Sequence, residues 1–156
     1  MPPAGVGVLG GDGPVSVRLV VEFFVDGLPV PQGSKSAWVN KRTGRAVIHD
    51  DNAKSLKPWR AVVRDLATDA WGDREPLDEP VVLHLEFGFV RPRSVRREQM
   101  TVKPDLSKLV RAVEDSLTDA GVWRDDCLVV EAHTRKDYAE RAGVLVRIET
   151  REGAEG

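Results

Sequence analysis

The order of apolar and polar residues along the chain predicts four main β-strands. Residues 15–25 are rich in β-branched and apolar side chains, which is typical of a strand. Residues 80–90 alternate apolar with polar positions and predict a strand with one buried face. Residues 127–134 and 143–150 predict the last two strands, which a polar turn around residues 136–141 connects.

Shorter signals predict a hairpin and a first helix between these strands. Residues 37–40 and 45–49 flank a Lys-Arg-Thr-Gly segment, in which Gly44 suits the turn of a hairpin. Asp51 or Asn52 is the expected N-cap of a helix that runs to about residue 71. The apolar side chains of this segment recur at helical spacing.

A second helix is predicted over residues 104–120. Its apolar side chains fall in one stripe, which we expect to be buried and which consists of Leu106, Leu109, Val110, Val113 and Leu117. Asp105 is the expected N-cap, with its carboxylate accepting backbone N–H groups, and Gly121 is expected to end the helix. This order of elements predicts an α/β or α+β fold, with two main helices packed on a small mixed sheet.

Length and composition suit a single folding unit. The chain has 156 residues, 41% of them apolar, and we expect one domain over residues 15–150 between flexible tails at residues 1–14 and 151–156. The glycine- and proline-rich start lacks the basic segment of a secretory signal, and no apolar run reaches the roughly 18 residues that span a bilayer. The one cysteine, Cys127, is expected to be a buried, inert thiol, which fits a cytoplasmic protein.

Positive charge is concentrated in two segments, although the formal net charge is −2. Residues 31–64 hold eight Lys or Arg against two Asp, and residues 91–111 hold seven against two acidic residues. Two basic segments in an otherwise acidic chain favour a patch that binds a polyanion. Charges dispersed over a solvated surface explain the same pattern, so charge alone leaves both interpretations open.

Two acidic positions have the chemistry of a metal site. Asp105 opens the second helix, and the pair Asp125 and Asp126 immediately precedes a predicted strand. Magnesium takes oxygen ligands and usually needs only one or two carboxylates, and it activates water for phosphodiester cleavage. An aspartate that caps a helix and an acidic turn also occur in proteins without any metal. Residue type alone therefore does not decide whether this chain has a metal site.

The segment between residues 103 and 130 resembles the RusA family of Holliday junction resolvases. The family pattern places two aspartates at the start of a helix, a basic residue four positions after the second, a small-residue turn, an aromatic residue and an Asp-Asp pair before a strand. Here KPDLSKLVRA, SLTDAGVW and RDDCLVV match that pattern in order and spacing. The early strand, the PVPQGSK loop and the final strand match more loosely.

This resemblance implies a homodimeric endonuclease that cuts four-way DNA junctions in recombination and repair with Mg²⁺ or Mn²⁺. Asp105 matches the first family aspartate and Asp126 the last, while the adjacent Asp125 is a further candidate metal ligand. Arg111 replaces the catalytic lysine of the family. Its guanidinium binds phosphate through two hydrogen bonds but cannot donate a proton near neutral pH. A dimer would place two such sites on two strands of the junction.

Ser107 stands where the family has its middle aspartate, and a hydroxyl is a weaker ligand for magnesium than a carboxylate. Three outcomes are open: the remaining aspartates hold a metal and the chain still cuts, a replacement carboxylate comes from Asp125, Asp115 or Glu114, or the chain binds junctions and cuts them poorly. Asp125 suits the replacement better than Asp115, which lies far along the helix. A small dimeric protein with no role on DNA is a further alternative.

Two loops and the start of the second helix are the expected DNA contacts. They would act through the phosphate backbone, so binding should be sensitive to salt and tolerant of sequence. Gly33 would let the backbone of the first loop approach a phosphate. The candidate residues are Lys35, Lys41, Arg42 and Arg45, then Arg91, Arg93, Arg96 and Arg97, and finally Lys103 and Lys108 beside Asp105.

Overall fold

The computed structural model describes residues 16–33, 35–39, 41–50 and 53–152. In chain order it contains β1 (Ser16–Asp26), β2 (Lys35–Val39), β3 (Ala46–Asp50), α1 (Ala53–Trp71), β4 (Val81–Phe89), α2 (Leu106–Asp119), a single 3₁₀ turn (Asp126–Leu128), β5 (Val129–Tyr138) and β6 (Gly143–Glu152). The predicted α+β class, with two main helices and a mixed sheet, is confirmed.

Four strands form the main sheet in the order β1-β6-β4-β5. β6 pairs antiparallel with both β1 and β4, whereas β4 and β5 run parallel. A parallel pair needs a long crossover, and α2 supplies it between β4 and β5. β2 and β3 form a separate antiparallel pair, which confirms the predicted hairpin, and Gly44 lies in its turn at a φ of 69°.

The last two strands are consecutive in sequence but are not neighbours, because β4 lies between them. The connecting turn crosses the end of β4, where the Ala139 N–H donates to the Phe89 carbonyl oxygen at 2.8 Å. A Cβ on Gly88 would lie 2.9 Å from the carbonyl oxygen of Arg141. Glycine at position 88 therefore makes room for this crossing.

The predicted C-terminal ends of the last two strands were wrong. β5 extends to Tyr138, because Lys136–Tyr138 pair with Phe87–Phe89 where a turn was expected. β6 extends to Glu152, so residues 151 and 152 belong to the sheet and not to a tail. The other predicted tail residues, 1–14 and 153–156, lie outside the described residues.

The core lies between the helices and one face of the main sheet. On β4, Leu83 and Leu85 are fully buried, as the alternating pattern predicted. On α2, Leu109, Val113 and Leu117 are fully buried, while the other two members of the predicted stripe, Leu106 and Val110, are partly buried. Burying one such leucine stabilises the fold by about 1.5–3 kcal/mol. This core fixes α2, and with it the acidic residues at both of its ends.

Among the described residues, no helix combines the length and the apolar character needed to cross a lipid bilayer.

Candidate active site

Asp105 occupies the N-cap position of α2, but its carboxylate does not cap the helix. Its backbone is extended, and its carbonyl oxygen accepts from the N–H groups of Lys108 and Leu109 at 3.2 and 3.1 Å. The side chain makes no capping hydrogen bond and is 51% exposed, with Lys108 Nζ 3.7 Å from Oδ2. The expected capping bond is therefore wrong, and the Asp105 carboxylate is left for another ligand beside the positive end of the helix dipole.

A lysine from the sheet fixes the backbone that leads into Asp105. Lys136 Nζ donates to the carbonyl oxygens of Val102 and Pro104 at 2.7 and 2.8 Å. Lys136 was predicted to lie in a turn and instead belongs to β5. Sequence reasoning missed this positioning residue, because a contact between residues 32 positions apart leaves no periodic signal.

Ser107 and Arg111 lie one helical turn apart on α2, and both side chains are exposed. Residues four positions apart share a helix face, so the same face continues from Arg111 to Asp115. The positive charge of Arg111 is therefore accessible beside the serine that replaces an aspartate of the family pattern. Ser107 brings a hydroxyl and no charge to this face.

Asp125 is the N-cap of the 3₁₀ turn before β5 and Asp126 begins that turn, whereas a strand was expected to follow Asp126 directly from residue 127. Asp125 caps this turn, because its Oδ1 accepts from the Cys127 N–H at 3.0 Å, and this bond lowers the pKa of Asp125. A hydrogen bond with Asp125 raises the pKa of Asp126, and burial and the charges of Asp125 and Asp115 add to it. Asp125 thus shapes the turn, while Asp126 lies among carboxylates.

Glu114 belongs to the surroundings of Asp126. Burial raises the pKa of Glu114, and the charges of Asp126 and Asp115 raise it further. Glu114 is nine residues after Asp105, which is about 13.5 Å along the helix axis. Asp126 therefore has its acidic neighbours on the second half of α2. These carboxylates repel one another, and a divalent cation would relieve that repulsion.

No group of three or more His, Cys, Asp or Glu residues within the described ranges has the arrangement of a metal site. Asp105, Asp125 and Asp126 are thus not gathered into one cluster, and their assignment as metal ligands remains a prediction. The oxygen donors themselves suit magnesium, which usually binds one or two carboxylates and keeps several waters.

Cys127 is exposed, so the expectation of a buried thiol was wrong. A hydrogen bond to Asp125 raises the pKa of the Cys127 thiol, and burial and nearby negative charge act in the same direction. Because the thiolate is the reactive form, this environment makes Cys127 a poor nucleophile.

All four arginines of the basic loop after β4 are exposed, and two of them contact Tyr138. Arg97 Nε donates to the Tyr138 hydroxyl at 3.1 Å, and the Arg91 guanidinium lies 5.0 Å from the centre of the Tyr138 ring. Arg93 and Arg96 are exposed. Tyr138 therefore holds the loop in place through Arg91 and Arg97, and Arg93 and Arg96 are the arginines of this loop that do not contact it.

The hairpin contributes further positive charge. Lys41, Arg42 and Arg45 are exposed in and around the turn between β2 and β3. The backbone of Lys35 begins β2, and its side chain lies outside the described part of the structure. All of the DNA contacts proposed from the sequence remain predictions.

A cavity of about 710 Å³ adjoins Asp105, and we call it the α2 cavity. Its wall comes from the loop after β1, the end of β4, the loop that follows and the start of α2. The Gln32 N–H donates to the Lys108 carbonyl oxygen at 3.0 Å, which holds the first loop against the helix. The fold thus brings the PVPQGSK loop and the acidic helix start together, although 70 residues separate them in sequence.

In a comparison with protein families, the model of endodeoxyribonuclease RusA matches residues 26–149. This range includes both loops, α2 and the turn with Asp125 and Asp126. A search of curated proteins found no match.

Proposed function

Because the chain belongs to the RusA endodeoxyribonuclease family, we propose that it is a magnesium-dependent endonuclease that resolves four-way DNA junctions. One observation about this chain supports the proposal most directly. The carboxylate of Asp105 opens a helix without capping it, and it lies on a cavity that Arg97, Lys103 and Lys108 also line. An exposed carboxylate among cations suits a site that holds a phosphate and a metal together.

We assign DNA binding to the exposed cations around this cavity. Arg93 and Arg96 extend from the loop that Tyr138 anchors, and Lys103 and Lys108 lie beside Asp105. The hairpin cations Lys41, Arg42 and Arg45 would contact a second part of the substrate. Phosphate contacts of this kind do not read sequence, which suits an enzyme that selects a branched shape.

Asp105 and Asp126 are the proposed magnesium ligands, with Asp125 and Glu114 as neighbouring carboxylates. When bound, magnesium would activate water and offset the negative charge that develops on the phosphate. The oxygen donors and the mutual repulsion around Asp126 fit such an ion. The chain would still have to bring Asp105 and the Asp126 group to one phosphate, since no described group of three ligands is preassembled.

Other side chains would orient the substrate and the carboxylates of Asp105 and Asp126. Arg111 would bind a phosphate oxygen, because its guanidinium is exposed on the helix face that leads toward Asp115. Lys136 would keep Asp105 in position through the Val102 and Pro104 carbonyl groups. Asp125 would keep Asp126 in position by capping the 3₁₀ turn.

A second candidate function is junction binding with weak cleavage. Ser107 favours it, because this exposed position supplies a hydroxyl where the family pattern has a carboxylate. In that case the basic surfaces would still recognise the junction, while the metal would be held too loosely for rapid hydrolysis.

We further propose that the protein acts as a homodimer. A twofold dimer presents two copies of the site in symmetric positions, and paired cuts in two strands of a junction need such an arrangement.

Cleavage of a labelled synthetic four-way junction tests the proposal. We expect the purified protein to cut the junction in magnesium, to leave it intact in EDTA, and to bind it more tightly than a linear duplex of the same sequence. Junction binding with very slow cutting would support the second candidate. Equal binding of junction and duplex, with no cutting, would refute both.

A further inference from the structure

The α2 cavity has the size and lining of a site for a small organic group. Its volume of about 710 Å³ lies in the range of pockets that hold small ligands. Most of its lining is apolar, and it includes Val30, Val102 and the aromatic ring of Tyr138. A nucleobase has the matching chemistry, because its flat faces are apolar and its edge carries hydrogen-bonding groups.

One polar group in this lining lacks a partner. Gln32 lines the cavity, and its Oε1 is shielded from solvent and accepts no hydrogen bond from the described residues. A buried acceptor without a donor is unfavourable, so a ligand that brings an N–H group is favoured there. The terminal torsion of a glutamine is soft, which lets the amide turn toward a group that enters. Its NH₂ group could then donate to an acceptor on the same edge.

The charges around the cavity match a nucleotide and not a neutral molecule. Arg97, Lys103 and Lys108 line it together with one carboxylate, that of Asp105. The first turn of α2 also presents backbone N–H groups at the positive end of the helix dipole. An apolar interior with a cationic rim suits a base inside and its phosphate at the rim.

We propose that the α2 cavity receives one unstacked nucleotide from the branch point of the junction, with Gln32 bonding the edge of its base. This inference rests on the proposed function, since it adds a base-binding site to a junction nuclease. The phosphate of that nucleotide would lie beside Lys103 and Lys108, next to the Asp105 carboxylate. Unstacking is least costly where bases are already poorly stacked, as they are at a branch point. Gln32 would then be a specificity-determining residue.

The first experiment locates the base without any cleavage. Junctions that carry the fluorescent base 2-aminopurine at each position around the branch point are bound to the protein in EDTA. We expect the fluorescence at one position to rise on binding, because an unstacked 2-aminopurine is brighter than a stacked one. Binding without a rise at any position would overturn the inference while leaving the proposed function intact.

The second experiment tests Gln32 through a double substitution cycle. Gln32→Leu removes the amide at similar size, and we expect it to weaken junction binding by roughly threefold to tenfold. An abasic nucleotide at the position that brightened should abolish this difference between wild type and variant. The matched control is Gln99→Leu, an exposed glutamine in the basic loop after β4 and outside the cavity, which should bind like wild type.

Two results would contradict this role of Gln32. One is a Gln32→Leu effect that persists on the abasic junction, because the amide would then act on something other than the base. The other is a wild-type protein that binds the abasic and the intact junction equally well. If the wild type does not prefer junction over duplex at all, the proposed function and this inference fail together.

Discussion

Lys136, near the end of β5, donates from its ammonium group to the carbonyl oxygen of Pro104 at 2.8 Å, one residue before Asp105. The same Nζ donates to the Val102 carbonyl oxygen at 2.7 Å. The edge strand of the sheet thus holds the approach to the helix that carries the proposed catalytic residues. A sheet residue therefore controls where an acidic side chain on another element lies.

Replacing Lys136 should affect both stability and cleavage. In Lys136→Met two carbonyl groups lose a charged donor, and we expect the free energy of unfolding to fall by about 1–3 kcal/mol. Junction cleavage should fall further than junction binding, because Asp105 loses its fixed position. Urea unfolding and a cleavage assay measure the two effects. Lys57→Met, on the exposed surface of α1, is the stability control, and an equal loss in both variants would remove Lys136 from this role.

Asp126→Asn should abolish cleavage in magnesium and leave junction binding intact or slightly tighter. The amide keeps the size of the side chain but removes a negative charge that would hold the metal and repel phosphate. Gel-shift binding in EDTA and cleavage in magnesium separate the two effects. Asp69→Asn, an exposed position on α1, should behave as wild type in both assays. Unchanged cleavage by Asp126→Asn would exclude Asp126 from the site.

Glu114→Gln tests whether Glu114 supplies the replacement carboxylate. Burial raises the pKa of Glu114 and the charge of Asp126 raises it further, which makes Glu114 a candidate to share a cation with Asp126. If they do, the magnesium concentration for half-maximal cleavage should rise by about tenfold, the scale of losing a supporting group at a metal site. The control is Glu140→Gln, an exposed position in the turn after β5. An unchanged magnesium dependence in both variants would exclude Glu114.

Ser107→Asp distinguishes an active site from a weakened one. A carboxylate at this exposed position restores the oxygen donor that the family pattern has. If the native site is weakened, cleavage should rise by about tenfold or more, the scale of one supporting group at a metal site. Ser107→Asn has nearly the same size without the charge and is the matched control. A wild-type protein that already cuts rapidly, with no gain in Ser107→Asp, would eliminate the second candidate function.

The exposed loop arginines should carry part of the salt dependence of DNA binding. Each phosphate contact contributes about 0.9 to the slope of log affinity against log salt, so Arg93→Gln with Arg96→Gln should lower the slope by about 1.8. Titrations at several salt concentrations measure it. The control pair is Arg135→Gln with Arg147→Gln, on the face of the sheet opposite the core and outside both basic loops. If the wild type and both double variants had the same salt slope, Arg93 and Arg96 would not contact phosphates.

The sequence predicts α2 and β4 well, because each of them buries a periodic set of apolar side chains. Leu109, Val113 and Leu117 recur at helical spacing, and β4 alternates from Leu83 to Phe89, so both elements lie within about two residues of their predicted ends. The order of the strands in the sheet does not follow from the apolar pattern. Alternation says which face of β4 is buried but not that β4 separates β5 from β6.

The features of the site that depend on neighbouring residues in the sequence were predictable. The features that depend on contacts between distant residues were not. Asp105 at a helix start and Asp125–Asp126 before a strand follow from neighbouring residues. That Asp105 leaves its helix uncapped, that Asp125 caps a 3₁₀ turn, and that Lys136 reaches Pro104 depend on side-chain geometry between separate elements. The α2 cavity arises from two loops, the end of β4 and the start of α2, which only the folded sheet brings together.

α2 and β5 lie side by side, and their lengths together set the spacing between the groups of the proposed site. Asp105 is at one end of the helix and Glu114 is in its second half, while the 3₁₀ turn and Lys136 lie at opposite ends of the strand. The helix rises 1.5 Å and the strand about 3.3 Å per residue. One residue inserted in either element would therefore shift the side chains of that element relative to those of the other, and it would also turn every side chain beyond the insertion to a different direction. Evolution can therefore exchange the side chains on these two elements far more freely than it can change their lengths, and natural variation in length is expected in the hairpin turn and the loop after α1.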